Sequence, residues 1–132
     1  MGVLMKRGIN YTGSGDILNQ PVIYSDSERC IGVWRDGKPL YQKSFNVNVN
    51  NSSASGFTQV VTENEFGVPY SSIEKFIDVK AQVGKVVIPR IRIKSSWSEN
   101  VYTSDGKINI EAAHEVTNET WNITVQYTKT TD

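Results

Sequence analysis

From Trp121 to Thr128 the chain places an apolar residue at every second position. Trp121, Ile123, Val125 and Tyr127 alternate with Asn122, Thr124, Gln126 and Thr128. Successive side chains on a β-strand point to opposite faces, so the pattern commits this segment to a strand with one buried and one wet face. The same period recurs at Asn46, Val47, Asn48, Val49 and Asn50, which puts both valines on one face. Asp36-Gly37 separates two apolar runs within residues 30–45 and predicts a hairpin with a tight type I′ turn. Pro39 then opens the second strand, where its missing N–H is tolerated. Asp105-Gly106 is a second hairpin signal, between Val101-Tyr102-Thr103 and Ile108-Asn109-Ile110.

The rest of the chain is consistent with those strands. Residues 57–62 read as a strand, and residues 63–70 as a loop punctuated by Gly67 and Pro69. Residues 71–83 fit two patterns. Ser71 with Glu74 suits a capping box, and Ile73, Phe76 and Ile77 have helical spacing. Read as a strand, the same stretch places Ile77, Val79 and Ala81 together, and the β character of its flanks favours that reading. Residues 85–94 form a strand interrupted at Pro89. Seven or eight short strands predict an all-β fold, an antiparallel β-sandwich or jelly-roll-like barrel over residues 25–132. Residues 1–24, broken by Gly8, Gly13, Gly15 and Pro21, read as an extended connector leading into it.

At 132 residues the chain has the length of one domain. Fourteen basic and fourteen acidic residues balance to zero, whereas a general nucleic-acid binder carries a basic excess. No apolar run approaches the ~20 residues that span a bilayer, and the first residues do not form a signal peptide. The expectation is a protein made in the cytoplasm with no membrane insertion. Cys30 is alone, which excludes an intrachain disulfide and a thiolate metal cluster, and its apolar neighbours predict a small core residue. Trp34 and Trp121 sit in apolar-alternating strands and read as core.

Catalytic chemistry finds little to work with. His114 is the only histidine, it follows a predicted strand, and no Gly-flanked serine elbow accompanies it, so it reads as a loop or surface residue. One His and one Cys far apart do not make a zinc site, and no Gly-rich phosphate loop is present. Acid pairs such as Glu63 with Glu65, or Glu111 with Glu115, are ones that any chain of this acidity offers by chance. No enzyme activity, metal or cofactor is expected.

A binding surface is better supported. Sugar sites pair aromatic rings with amide and hydroxyl side chains. Two stretches have that composition: residues 95–100 with Trp97, Asn100 and nearby Tyr102, and residues 65–72 with Phe66 and Tyr70. Trp97, whose neighbours are all polar, serves either as a ligand contact or as a cap on the core or an oligomer interface. Arg90, Arg92 and Lys94 alternate with Ile91 and Ile93, so a strand would project three cations from one face. That stripe reads first as a solvated edge that discourages aggregation, and otherwise as an attractor for phosphate-rich polymers or as an intersubunit partner for acidic residues.

The pattern Trp34, Asp36, Gly37, Lys38, Pro39, Leu40, Tyr41 and Lys43, with Tyr24, Ser25 and Glu28 upstream and the terminus Val125–Asp132 (VQYTKTTD), resembles a domain of tail-fibre and minor structural proteins of phages infecting Gram-positive bacteria. The resemblance covers residues 24–45 and 121–132 and thins between them. It implies a β-rich distal module of a virion appendage, a homotrimer, contacts with other tail proteins, and adhesion to host cell-surface glycan without catalysis. Two alternatives remain open: a purely structural fibre-capping or trimerisation domain, and a carbohydrate-binding module of a wall hydrolase.

Overall fold

The computed structural model describes residues 25–91 and 98–131. The predicted connector and the candidate site residues Arg92, Lys94 and Trp97 lie outside the described residues. Nine strands are described, more than expected: β1 (Arg29–Val33), β2 (Pro39–Asn51), β3 (Phe57–Val60), β4 (Ile73–Val83), β5 (Val86–Ile88), β6 (Arg90–Ile91), β7 (Ser98–Ser104), β8 (Lys107–Ala112) and β9 (Val116–Lys129). A one-turn helix, α1 (Glu63–Phe66), and a 3₁₀ turn (Tyr70–Ser72) link β3 to β4. The strands form two antiparallel sheets, ordered β1-β2-β9-β4-β5 and β3-β8-β7-β6, with the core between them. The fold is all-β, as expected.

β9 is the spine. On its buried face the alternation holds: Trp121, Ile123, Val125 and Tyr127 are all fully buried, in one core with Phe45, Val47 and Val49 from β2 and Ile108 and Ile110 from β8. Thr124 and Thr128, on the face expected to be wet, are buried as well. Removing each of the apolar β9 side chains from water contributes roughly 1.5–3 kcal/mol. β8 pairs with β3 and β7, and the chain passes from one sheet to the other at Pro89, between β5 and β6.

The strand reading of residues 71–83 holds over Ile73–Val83, but Ile77 falls at a bulge and does not join Val79 and Ala81 on the core. Bulges also explain the helical spacing within the strand. The register of β4 against β9 shifts between Ile73 and Lys75 and again between Phe76 and Asp78. Each shift inserts a residue and reverses parity, so Ile73, Phe76 and Val79 all pack on the core at intervals of three. The capping box lies earlier than Ser71. Thr62 accepts from the backbone N–H of Glu65, whose carboxylate accepts from that of Thr62, and this starts α1 inside the segment read as a loop.

Three sequence expectations are corrected. The Asp36-Gly37 turn is not type I′, because only Gly37 (φ 91°) has positive φ there. Gly37 N–H donates to the Trp34 carbonyl and Trp34 N–H to the Lys38 carbonyl, both at 2.8 Å, making a three-residue loop. Asp36 stabilises it by accepting from the Lys38 N–H at 3.0 Å. Cys30 is exposed and not a core residue, because β1 is the edge strand and overhangs the core. Trp34 is only half-buried, with the Arg35 guanidinium 5.1 Å from its ring centroid.

The two stretches that carry the resemblance meet in space. Glu28 accepts from the Tyr127 hydroxyl at 2.5 Å and forms an ion pair with Lys129. The Lys129 ammonium lies 4.6 Å over the Tyr41 ring, which stacks on Tyr127. Lys38 reaches Glu74 at 3.2 Å and the Lys129 carbonyl at 3.2 Å, closing the cluster.

Candidate functional site

The outward residues of β2 and β9 are amides and hydroxyls, and the register aligns them. Gln42 lies opposite Gln126, Ser44 opposite Thr124, and Asn46 opposite Asn122. Each pair is bonded across the strands: Gln126 Nε2 donates to Gln42 Oε1 at 2.9 Å, the Ser44 and Thr124 hydroxyls are 2.8 Å apart, and Asn122 Nδ2 donates to Asn46 Oδ1 at 2.9 Å. Asn48 and Thr120 continue the series, and Asn50 Oδ1 accepts from the Asn118 N–H at 3.2 Å. An amide carries two N–H donors and two acceptor lone pairs. A cross-strand bond uses one donor of one partner and one acceptor of the other, so Asn46 and Asn122 keep both kinds of group for a ligand.

β4 and β5 widen this face. Asn122 lies opposite Gln82, which in turn lies opposite Val87, so one row crosses four strands as Asn46, Asn122, Gln82 and Val87. A depression of about 350 Å³ opens here, lined by Lys80, Ala81, Gln82, Val87, Asn122 and Thr124. Val87 is 64% exposed and forms an apolar wall beside the amides. Charge enters the β4 part of the face through Asp78 and Lys80 and, farther along beside Thr128, through Glu74 and Lys75. Gln42 is buried, and its Nε2 has no partner among the described residues.

The residues expected from the sequence are dispersed. Asn100 and Tyr102 share the outer face of the four-stranded sheet, both half-buried, in rows with Glu111 and Thr58 and with Asn109 and Val60. Tyr70 belongs to the core end. Its hydroxyl donates to the Val61 carbonyl at 2.6 Å and accepts from the Ile108 N–H at 3.3 Å, while its ring packs on Phe66 and Phe76. Phe66 is fully buried, so the stretch at residues 65–72 does not form an exposed aromatic platform.

Arg90 is turned to a different task from a solvated stripe. Its Nε and Nη2 grip both Glu99 carboxylate oxygens at 2.8 and 2.9 Å. His114 Nε2 reaches the same carboxylate at 2.9 Å, and its Nδ1 lies 2.7 Å from the Glu115 carbonyl. Both ring nitrogens therefore face acceptors, which holds the imidazole in place. Glu99 is 5% exposed. Burial pushes its carboxyl up, but the bonds and charges of Arg90 and His114 outweigh burial and hold it below the ordinary carboxylate range.

Sequence reasoning missed the amide face, although its signal was present in the asparagines that alternate with Val47 and Val49 and in the polar half of β9. Among the described residues no group of three His, Cys, Asp or Glu side chains is placed to hold a metal ion. No family model, curated protein or solved structure gives a significant match to this chain.

Proposed function

We propose that this chain is a non-catalytic adhesion domain of a phage tail appendage, and that it binds host cell-surface carbohydrate through the outer face of its five-stranded sheet. The observation that carries the reading is the row of amides and hydroxyls along β2 and β9, which is exposed at Asn46, Asn48, Asn50, Asn118, Thr120 and Asn122 and borders a depression at Asn122. Such side chains exchange hydrogen bonds with water for hydrogen bonds with sugar hydroxyls at little net cost, which suits a shallow, weak site. Repetition in a homotrimer supplies avidity. The resemblance to tail-fibre proteins supplies the setting, and Glu28, Lys38, Tyr41, Tyr127 and Lys129, which belong to it, meet in one cluster.

A structural capping or trimerisation role is the second reading. It is favoured by the exposed valines Val33, Val60 and Val87, each on an edge strand, where subunits pair most readily. Co-sedimentation of the purified chain with Gram-positive cell walls, before and after the wall carbohydrate is stripped, separates the two. Binding that disappears with the carbohydrate is expected. A stable oligomer that ignores both wall preparations would favour the capping role.

A further inference from the structure

Building on that reading, we infer that the glycan is uncharged and carries acetamido groups, and that the depression between β4, β5 and β9 is its principal subsite. Among the described residues the depression is lined by one lysine and no guanidinium, which points away from a polyanion. A phosphate or uronate polymer is recognised by unshared cations, usually guanidinium groups that engage an oxyanion with two bonds. At the depression the cation is Lys80, a single point charge, while the guanidinium of Arg90 lies on the other sheet and is bonded to Glu99. The groups that surround the depression, Gln82, Asn122 and Thr124, are neutral donors and acceptors.

An acetamido group matches this lining better than a hydroxyl does. Its N–H and C=O complement a side-chain amide, which also presents one donor end and one acceptor end. Its methyl group needs an apolar neighbour, and Val87 stands across from Gln82 with most of its surface open to solvent. Rows of outward side chains recur about every 6.8 Å along a strand, so a glycan lying along β9 from Asn122 toward Asn118 meets a new polar pair at each row. Thr120 with Asn48 and Asn118 with Asn50 continue the track beyond the depression.

The test is an NMR titration of the full ¹⁵N-labelled chain with the β-1,4 tetramer of N-acetylglucosamine and, separately, the β-1,4 tetramer of glucose. The two probes differ only in acetamido against hydroxyl. The expected result is saturable shifts centred on Gln82, Val87 and Asn122, with the glucose tetramer about ten- to fiftyfold weaker, as one buried methyl and one hydrogen bond would give. Gln82→Ala and Asn122→Ala, both at exposed positions, should abolish those shifts, whereas Asn109→Ala on the opposite sheet should retain them. Equal affinity for the two tetramers would overturn the acetamido assignment. Binding of a glycerol-phosphate polymer, weakened by salt, without binding of either tetramer would overturn the inference and leave the adhesion reading standing. A change in solution mass caused by Gln82→Ala or Asn122→Ala would assign the face to a second copy of the chain, again overturning it. Failure to bind intact walls at all would remove the adhesion reading itself.

Discussion

At each end of the sandwich a carboxylate is held by two donors, but the two ends are built differently. At one end Glu28 takes the Tyr127 hydroxyl and the Lys129 ammonium, joining the first described residues to the last strand. At the other, Glu99 takes Arg90 and His114, joining β6 and β7 to the turn between β8 and β9. Glu28 sits near the surface beside a stacked Tyr41–Tyr127 pair, whereas Glu99 is nearly sealed. The Glu28 end leans on aromatic packing and the Glu99 end on charge. The two should therefore fail under different perturbations.

The largest effect is expected at Glu99. Glu99→Ala takes from Arg90 the carboxylate that both of its nitrogens grip and opens a void beside His114. Loss of one partner of a buried pair costs several kcal/mol, and the partial exposure of Arg90 and His114 reduces this to about 2–3 kcal/mol. Urea unfolding measures it, and a change below half a kcal/mol would show that the cluster contributes no stability. Tyr127→Phe keeps the ring and removes only the hydroxyl, so it should cost less, about 1.5 kcal/mol for a hydrogen bond to a charged group. Burial, and then the Glu28 carboxylate, push the Tyr127 phenol up, so that hydroxyl remains a donor across the accessible pH range. If Tyr127→Phe costs more than Glu99→Ala, the contrast between the ends is reversed.

These ends also show what the sequence could reveal. The Glu28 cluster is legible as a pattern without a reason, since Glu28, Tyr41 and the closing strand stand out in the sequence with no sign that they touch. The Glu99 cluster was not, because Arg90, Glu99 and His114 come together only once β6, β7 and β8 are in register. β9 is legible from Trp121 to Tyr127, because a face that packs on the core leaves a period of two, but not over residues 116–120, which are exposed apart from Val116. β4 was ambiguous for a physical reason. Its bulges put Ile73, Phe76 and Val79 on one face at a spacing that imitates a helix. Cys30 misled because an apolar neighbourhood does not say whether a strand is central or at the edge. The amide face needed the pairing of β2 with β9, since asparagine alternation alone does not place Asn46 beside Asn122.

Acid removes the carboxylate charge without removing its volume, so its effect at Glu99 should be smaller than that of Glu99→Ala. The folded-state values of Glu99, Glu74 and Asp36 are all depressed. Glu74 is lowered first by its bond from Thr128 and then by Lys38, and Asp36 chiefly by the Lys38 N–H. For depressed carboxyls the unfolded chain binds protons first as pH falls. Their stabilisation is therefore complete well above the ordinary values of 4.5 and 3.8, and is lost as pH drops through the folded values. Unfolding free energy measured from pH 6 to pH 3 should fall, and fall less steeply in Glu99→Gln. An identical slope in the variant would remove Glu99 from the acid response.

The smallest effects separate the two Asp-Gly turns, which share a dipeptide and differ in geometry. Asp105 (φ 55°) and Gly106 (φ 74°) are both left-handed and close a two-residue turn between Ser104 and Lys107. Asp36 is not left-handed, and it acts through its side chain, which accepts from the Lys38 N–H and pairs with Lys75 at 3.5 Å. Asp105→Ala should therefore cost about 1 kcal/mol of backbone strain, and Asp105→Gly should recover most of it because glycine adopts positive φ without penalty. At Asp36 glycine should rescue nothing. It restores no acceptor for Lys38 and adds freedom to the unfolded chain, so Asp36→Gly should be no more stable than Asp36→Ala. Urea midpoints of the four variants decide this. Rescue by glycine at both positions would mean that the Asp36 loop also depends on a left-handed residue, and that the dipeptide alone sets the turn.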